Sequence, residues 1–465
     1  MFYFQIIPIS SLDPQLQSLQ LNFNKLSEIG SYAFIFLEKL IHVDLSNNQI
    51  HHINENTFEA QRILKTLNLS HNRLSDLNNS TLLGLTSLET LDLSHNSLTG
   101  LADSALQNLP QLTELNLAGN RISVISARAF SGVNFLQNLN LADNEVTETE
   151  LRSLSLLPGL ESLDLSENRI SQLRPGIFSA LQQLRRLELR GNTLLTDGLS
   201  GESLVGLRGL TYLDLSDLNL TSLPPHLLLP TSNLTTLRLD RTGLAELQAE
   251  LFLSLSELRQ LSVSGNRRLV RLAPSLFLPT PQLVRLDLSQ NPRLSSLPPR
   301  LLTGLTALTE LDVRDCRLTS LSLPPVNSWS LLEVGGNPWH CDCRLLSLYR
   351  AGLDLSCHRP PGLSLSRANL TRCEEGGGEE EEQNRLNLAV TLVVLGVVIL
   401  TLLALVGWRF QARLHSCLLS RFNHSKWEHQ DSLQAFQDTE EFIFNSSLPH
   451  HHHHLPTRPV PVTEL

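Results

Sequence analysis

Leucine and asparagine recur along most of the chain in one short motif, which reads L-x-x-L-x-L-x-x-N. One copy consists of Leu64, Leu67, Leu69 and Asn72. The final asparagine returns every 24 residues over eight copies, at Asn24, Asn48, Asn72, Asn96, Asn120, Asn144, Asn168 and Asn192. This column, which we call the ladder, then continues with small changes of spacing through Leu218, Thr242, Asn266, Asn291, Cys316 and Asn337. The pattern predicts about thirteen structural repeats.

Each repeat has the alternation of a short strand, because the leucines of x-L-x-L-x point to one side and the residues between them to the other. A second apolar column follows most ladder positions by ten residues, at Phe34, Phe58, Leu82, Leu106, Phe130, Leu154, Phe178, Leu228 and Phe252. A single repeat cannot bury its apolar side alone, so neighbouring repeats must stack into one continuous core. The sequence therefore predicts an α/β fold, a right-handed horseshoe solenoid with one parallel sheet on its concave face.

The ladder side chains have a predicted structural role. An asparagine amide offers both donors and an acceptor, so a stack of them can satisfy backbone groups where each strand turns away. Cys316 occupies a ladder position, which predicts a buried free thiol rather than a nucleophile. Leu218 and Thr242 replace the asparagine in consecutive repeats. Either the missing amides loosen or kink the solenoid between residues 210 and 257, or simple packing compensates for them.

Composition narrows the classes of function. The formal charge is -10 and the isoelectric point about 5.9, which argues against a nucleic-acid-binding protein with a basic groove. Only 5% of the residues are aromatic, so leucine must build most of the core. The sequence contains no nucleophile-elbow, phosphate-loop or zinc-protease motif. We therefore predict no catalytic residue, no metal site and no cofactor.

The last repeats end in a cysteine-rich segment. It begins with the residues NPWHCDC from Asn337 and continues to Cys357 and Cys373. Together with the repeats, this segment resembles the extracellular leucine-rich-repeat proteins that carry a C-terminal cysteine cap. The resemblance covers most of the chain and implies two disulfides, Cys341 with Cys357 and Cys343 with Cys373. A zinc site on the four thiols is the alternative, since closely spaced cysteines also hold zinc.

The first residues, 1–15, do not match the start expected of a secreted protein of this kind. They contain no cysteine, no lysine or arginine and only a short apolar run. They therefore provide neither an N-terminal cysteine cap nor an ordinary signal peptide. We expect the natural chain to carry both a signal peptide and a cap ahead of the first repeat.

An uncharged segment of 21 residues, 388–408, follows the cysteine-rich region. As a helix it would be about 31 Å long, which is enough to cross a bilayer. An acidic stalk at 375–387 precedes it, and basic residues follow it closely at Arg409, Arg413, Arg421 and Lys426. Basic residues favour the cytoplasmic side, so the repeats should be extracellular or lumenal and the tail at 409–465 cytoplasmic. This predicts a single-pass type I protein of the plasma membrane or the endosomal membrane.

Short motifs lie on both sides of this segment. Sequons on the outer side predict N-linked glycans at Asn68, Asn78, Asn79, Asn219, Asn233 and Asn369. In the tail, Thr463 and Leu465 fit the carboxyl-terminal motif that PDZ domains bind as an added strand. Cys417 is a candidate for palmitoylation, with an unmodified thiol as the alternative. The five histidines at 450–454 are interpreted as spacer rather than as a metal site.

The outward-facing strand residues are the expected ligand-binding surface of such a solenoid. Their middle positions, from Gln20 to Asp312, are mostly Asp, Asn or Glu, which either attracts a basic partner or is simply the repeat consensus. One basic interruption spans three repeats and is our candidate binding site, consisting of Arg186, Arg190, Tyr212, Asp214, Arg238 and Arg241. Tyrosine and arginine contribute strongly to interface energies, so contacts should concentrate there.

These features predict six segments, which are an atypical N-terminus at 1–15, about thirteen repeats at 16–328, a cysteine cap at 329–374, a stalk at 375–387, a transmembrane helix at 388–408 and a cytoplasmic tail at 409–465. The resemblance implies a non-catalytic receptor, adhesion or anchoring protein of the cell surface. Its expected partners are an extracellular or cell-surface protein ligand and a cytoplasmic PDZ protein, without nucleic acid. A decoy or accessory chain of Toll-like pattern recognition is the alternative function.

Overall fold

The computed structural model describes residues 12–77, 80–324, 326, 328–368, 370 and 373. The chain divides into two units, 1–373 and 374–465, and every described residue belongs to the first. Some predictions fall on residues outside this set, namely those for 1–11, Asn78, Asn79, Asn369, the stalk, the segment 388–408, Cys417, Thr463 and Leu465. Within the described ranges, no helix is both long and apolar enough to cross a membrane.

Most strands of the described residues form one parallel sheet of fourteen, arranged in sequence order. These strands are Ser18–Gln20 (β1), His42–Asp44 (β3), Thr66–Asn68 (β5), Thr90–Asp92 (β6), Glu114–Asn116 (β8), Asn138–Asn140 (β10), Ser162–Asp164 (β11), Arg186–Glu188 (β12), Tyr212–Asp214 (β13), Thr236–Arg238 (β14), Gln260–Ser262 (β16), Arg285–Asp287 (β18), Glu310–Asp312 (β19) and Leu331–Glu333 (β20). Two-residue strands pair as Glu28–Ile29 (β2) with His52–Ile53 (β4), Gly100–Leu101 (β7) with Val124–Ile125 (β9), and Glu246–Leu247 (β15) with Arg271–Leu272 (β17).

Helical structure is short in the described part of the chain. It comprises 3-10 helices at Glu150–Leu156, Ala249–Phe252, Cys343–Leu345 and Leu365–Arg367, and one α-helix, Leu346–Arg350 (α1). Turns make most of the return path from one sheet strand to the next. The predicted parallel solenoid of about 13 turns is confirmed.

Leucines in register fill the core of the solenoid. Leu163 of β11 pairs with Leu187 of β12, which in turn pairs with Leu213 of β13, and all three are 0% exposed. Every residue of the predicted second apolar column is buried as well. Within that column, Phe34 and Phe58 stack with their ring centroids 5.5 Å apart. Each buried side chain of this size contributes about 1.5–3 kcal/mol, and it does so only while its neighbouring repeats are folded.

The ladder asparagines satisfy backbone groups, as predicted. The Nδ2 atom of Asn48 donates to the carbonyls of Leu21 (2.9 Å) and Leu45 (3.0 Å), while its Oδ1 atom accepts the Leu26 amide (3.1 Å). Where Leu218 and Thr242 interrupt the ladder, strand pairing continues in register from β12 through β16. The sheet is therefore continuous across the two missing amides.

Cys316 is a buried free thiol at its ladder position. Its Sγ atom donates to the carbonyl of Leu288 at 3.2 Å, so the thiol replaces one of the bonds that an asparagine would make. Burial raises the pKa of Cys316 to about 11. The thiol is therefore protonated at neutral pH and is a poor nucleophile there.

Two disulfides close the C-terminal end of the described chain. Cys341 is bonded to Cys357 and Cys343 to Cys373, with Cα–Cα distances of 5.6 and 5.4 Å. These are the pairs that the resemblance implied, and bonded sulfurs are not available as zinc ligands. Trp339 lies next to them, 2% exposed, and its indole N–H donates to the carbonyl of Val334 at 3.1 Å.

Candidate functional site

The acidic column of the sheet has a structural role. In β3, the Oδ1 atom of Asp44 accepts the backbone N–H of Ser46, two residues further on, at 2.9 Å. Equivalent bonds follow Asn68, Asp92, Asn116, Asn140, Asp164, Asp214, Asp287 and Asp312. The side chain thus shapes the turn that leads from the strand into the ladder. The column follows from the repeat itself and does not by itself indicate a basic partner.

The candidate site lies on the outward side of β12, β13 and β14, and an arginine–tyrosine stack occupies its centre. The Cζ atom of Arg186 lies 3.7 Å from the centroid of the Tyr212 ring. The same guanidinium donates through Nε to Glu188 at 2.7 Å. Burial, and then the charge of Asp214, raises the pKa of the Tyr212 hydroxyl. The Tyr212 hydroxyl is therefore protonated at physiological pH, and the Arg186 guanidinium packs over the ring.

Arg190 and Arg241 share one carboxylate, that of Asp217. Arg241 donates to both of its oxygens, at 2.7 Å each, and Arg190 donates through Nε at 2.8 Å. Hydrogen bonding from Arg241 is the main reason why the pKa of Asp217 is lowered. Asp217 and Arg241 both occupy the left-handed region, with φ of 56° and 51°, one residue before the ladder positions. This conformation brings the two side chains side by side in successive turns.

Arg238 lies above a buried acidic network. Its Nη2 atom is 3.0 Å from Oδ2 of Asp240, and its Nε atom is 3.8 Å from Oδ2 of Asp214. Asp240 is only 2% exposed, and its Oδ1 atom accepts the Ser262 hydroxyl (2.5 Å) and the Ser264 amide (2.8 Å). These bonds join the repeat of β14, whose ladder residue is Thr242, to the repeat of β16. They add to the ladder bonds there, in which the Thr242 amide donates to Oδ1 of Asn266 (2.7 Å) and Nδ2 of Asn266 donates to the Leu239 carbonyl (2.9 Å).

The structure thus brings the six predicted site residues together, but it corrects their electrostatic character. Each arginine in the predicted set is paired with a carboxylate, from Glu188, Asp214, Asp217 or Asp240. Four positive and four negative formal charges therefore balance within the site. Sequence reasoning missed Asp217 and Asp240. Asp217 and Arg241 are 24 residues apart, one repeat length, which was the available signal.

A small depression lies beside this network. Its volume is about 310 Å³, and its walls include Tyr212, Thr236, Arg238, Gln260 and Ser262. Ligand pockets for small molecules are usually lined mainly by apolar groups, whereas this depression is lined mainly by polar side chains. It is suited to receive a polar side chain from a partner protein.

The described sequons lie at different places on the solenoid. Asn68 is part of β5 and is partly buried on the sheet face. Asn219 and Asn233 are exposed outside the strands, and their Nδ2 atoms donate to the carbonyls of Thr193 (3.0 Å) and Arg208 (3.1 Å). A glycan at Asn68 would cover part of the sheet five strands away from β12, the first strand of the candidate site.

Seven segments of the chain match the family described as "Leucine rich repeat". They are residues 14–74, 62–122, 86–146, 110–170, 158–220, 232–292 and 256–318. The chain belongs to the leucine-rich-repeat family. A search of curated proteins found no match to it.

Several solved structures resemble this leucine-rich-repeat chain. TLR13, in the crystal structure of the TLR13–ssRNA13 complex, is 25% identical with a TM-score of 0.55, over 75% of this chain and 51% of that one. This chain therefore spans about half of the TLR13 chain. The Leptospira interrogans protein LIC12759 is 25% identical with a TM-score of 0.56, over 72% and 88% of the two chains. The APL1 leucine-rich-repeat domain shares the fold. It is 23% identical with a TM-score of 0.56, over 76% of this chain and 87% of that one.

Proposed function

We propose that this chain is a non-catalytic receptor, adhesion or anchoring protein of the cell surface, and that it binds a protein ligand through β12–β14. Leucine-rich-repeat solenoids are typically scaffolds for interactions rather than enzymes. The observation that carries the proposal is the stack of Arg186 on Tyr212 amid fixed ion pairs. Tyrosine and arginine are frequent energetic anchors of interfaces. Because their contacts already order these side chains, they lose less conformational entropy when a partner binds.

Cell-surface placement rests on sequence features together with the disulfides. Disulfides persist mainly in oxidising compartments, and the structure has two of them. The segment 388–408 is the proposed membrane span, with the repeats outside and the tail inside. We further propose that the tail recruits a PDZ protein through Thr463 and Leu465. The proposed membrane is that of the cell surface or of endosomes, and antibody labelling of intact and permeabilised cells distinguishes the two.

The test starts from cells that display the full chain, screened against secreted proteins and the ectodomains of cell-surface proteins. Each ligand found is then measured on Tyr212→Ala and Arg186→Met. The matched control is Lys65→Met, because Lys65 directly precedes β5, is paired with Glu89 at 2.7 Å and does not line the depression beside Tyr212 and Arg238. We expect at least about a tenfold loss of affinity for the first two variants and little change for the control. Ligands that bind all three variants equally would place the interface elsewhere.

The similarity to TLR13 favours a second candidate, an accessory or decoy chain in Toll-like recognition. The two functions differ in the ligand. The accessory function requires the chain to associate with a Toll-like receptor or to bind a microbial molecule, and the first function requires a host protein. Co-precipitation of the full chain with Toll-like receptors from the same cells distinguishes them. Association that survives Tyr212→Ala and depends on a microbial ligand would favour the accessory function.

A further inference from the structure

The turn that follows each sheet strand carries a second group of arginines. We call these turns the rim; in parallel strands they all lie at the same edge of the sheet. In three consecutive rim turns, at 263–268, 288–294 and 313–318, the exposed arginines that follow the ladder residues are Arg267, Arg268, Arg293 and Arg317. Asp315 is the single carboxylate in these three turns. The rim therefore carries a net positive charge that the sheet face does not.

These rim arginines are unpaired. Among the residues that the structure describes, none of the four forms an ion pair, and none donates a side-chain hydrogen bond. The contrast with Arg190 and Arg238 is direct, because those two side chains have carboxylate partners within 3.0 Å. Unpaired guanidinium groups keep their full capacity to bind an external anion.

A cavity of about 710 Å³ adjoins the first rim turn. Its walls include Asn219, Arg241, Gly265, Arg267, Arg268 and Gln290, and no carboxylate side chain lines it. Gly265 has φ of 69°, and a side chain there would collide with the aliphatic part of Arg241. The glycine thus lets Arg241 lie along the cavity wall, where Asp217 holds its guanidinium. Arg267 and Arg268 supply the positive charge that is not neutralised.

The chemistry of this cavity selects among anionic ligands. A guanidinium binds a sulfate or phosphate oxygen pair through two parallel hydrogen bonds. No aromatic side chain lines the cavity, so nucleic-acid bases would lack the rings on which they usually stack. Neighbouring strands lie about 4.8 Å apart, so the rim arginines form a row about 10 Å long. Such a row suits a linear polymer with repeated anionic groups.

We propose that this cavity and the rim arginines bind the sulfate groups of a sulfated polysaccharide. Arg267 and Arg268 hold one sulfate at the cavity, and Arg293 and Arg317 hold later sulfates along the same chain. This site is separate from the protein-binding site on the sheet face, and it does not depend on that proposal. Asn219 lines the cavity and lies in a sequon, so a glycan on it would compete for the same space.

The test uses the full chain purified in detergent, with Thr221→Ala, which removes the Asn219 sequon but keeps the Asn219 side chain. Heparin, desulfated heparin and a single-stranded RNA of matched charge are the probes. In this background, Arg267→Ser with Arg268→Ser should weaken heparin binding by at least about tenfold. The slope of log Kd against log salt should fall by roughly one for each arginine removed.

The control is Arg62→Ser with Arg152→Ser, which changes the net charge equally. Both residues are exposed and, within the described part of the chain, without ion pairs, and they lie away from the rim. This control should bind heparin like the parent. Equal heparin binding by the rim variant would overturn the proposal. Two other results would also overturn it. One is that desulfated heparin binds as tightly as heparin, and the other is that the RNA binds more tightly than heparin and loses this binding when Arg267 and Arg268 are replaced.

Discussion

Replacing Asp240 by alanine should destabilise the middle of the solenoid far more than the same change at Asp287 destabilises its own repeat. Asp240 is 2% exposed and accepts hydrogen bonds from Arg238, Ser262 and Ser264. Asp287 is the last residue of β18 and is only partly buried, and its side chain accepts only the Ser289 amide, at 2.9 Å. The two substitutions therefore remove the same carboxylate from networks of different size.

The magnitude follows from the groups left behind. Without Asp240, the Ser264 N–H and the Ser262 hydroxyl lose their acceptor, and Arg238 keeps only Asp214 at 3.8 Å. Breaking a buried ionic network by removing one partner costs about 3–5 kcal/mol. The Arg238 side chain is 44% exposed, so water recovers part of the loss and the lower value, about 3 kcal/mol, applies. Asp287→Ala should cost about 1 kcal/mol for its one hydrogen bond.

Native-state hydrogen exchange measures this difference locally. Opening free energies are read peptide by peptide, so the experiment does not require two-state unfolding of the whole array. A loss of about 3 kcal/mol speeds exchange about a hundredfold in peptides that cover β13 to β16, and about 1 kcal/mol speeds it about fivefold at β18. Asp240→Asn keeps an acceptor oxygen and should fall between them. Equal effects of the two alanine variants would refute a special role for Asp240.

Three further predictions concern the thiol, the disulfides and pH. Cys316 should resist alkylation at neutral pH until the chain is unfolded in urea, as mass spectrometry can show, because burial raises its pKa to about 11. Replacing Cys343 and Cys373 by serine opens a loop of 30 residues and should cost about 3–4 kcal/mol, read from exchange at the C-terminal end. Since Arg241 lowers the pKa of Asp217, the pair stabilises the fold above the ordinary Asp pKa and is lost on acidification below it. In urea denaturation, Asp217→Asn should therefore have a lower free energy of unfolding than the parent at neutral pH and the same one in strong acid.

The features that the sequence predicts well are those that the repeat period controls. Leu163, Leu187 and Leu213 pair across β11, β12 and β13 because each repeat presents the same alternation of core and surface. Ladder bonds such as those of Asn48 follow from the same register. Only one arrangement buries all the leucines together, so the sheet and the core are set by a pattern that thirteen repeats reinforce.

The net charge of the candidate site could not be predicted from the repeat period, because it depends on the conformation of individual turns. Asp217 and Arg241 meet only because both adopt positive φ in successive turns, and Asp240 is buried at a position where the neighbouring repeats have Ser216 and Ser264. Repeat length gave one clue, the 24 residues between Asp217 and Arg241. Which arginines stay unpaired, however, depends on side-chain positions that no periodic rule specifies.

Ionic strength should separate the two surfaces. On the sheet face, arginines such as Arg238 are already paired, so a protein that binds there gains little from long-range attraction and its affinity should depend weakly on salt. On the rim, Arg267 and Arg268 have no such partners, and binding of a polyanion there must release counterions. A ligand whose binding is lost with Tyr212→Ala and also falls steeply with salt would contradict this division, because it would show that the face arginines exchange their internal partners for the ligand.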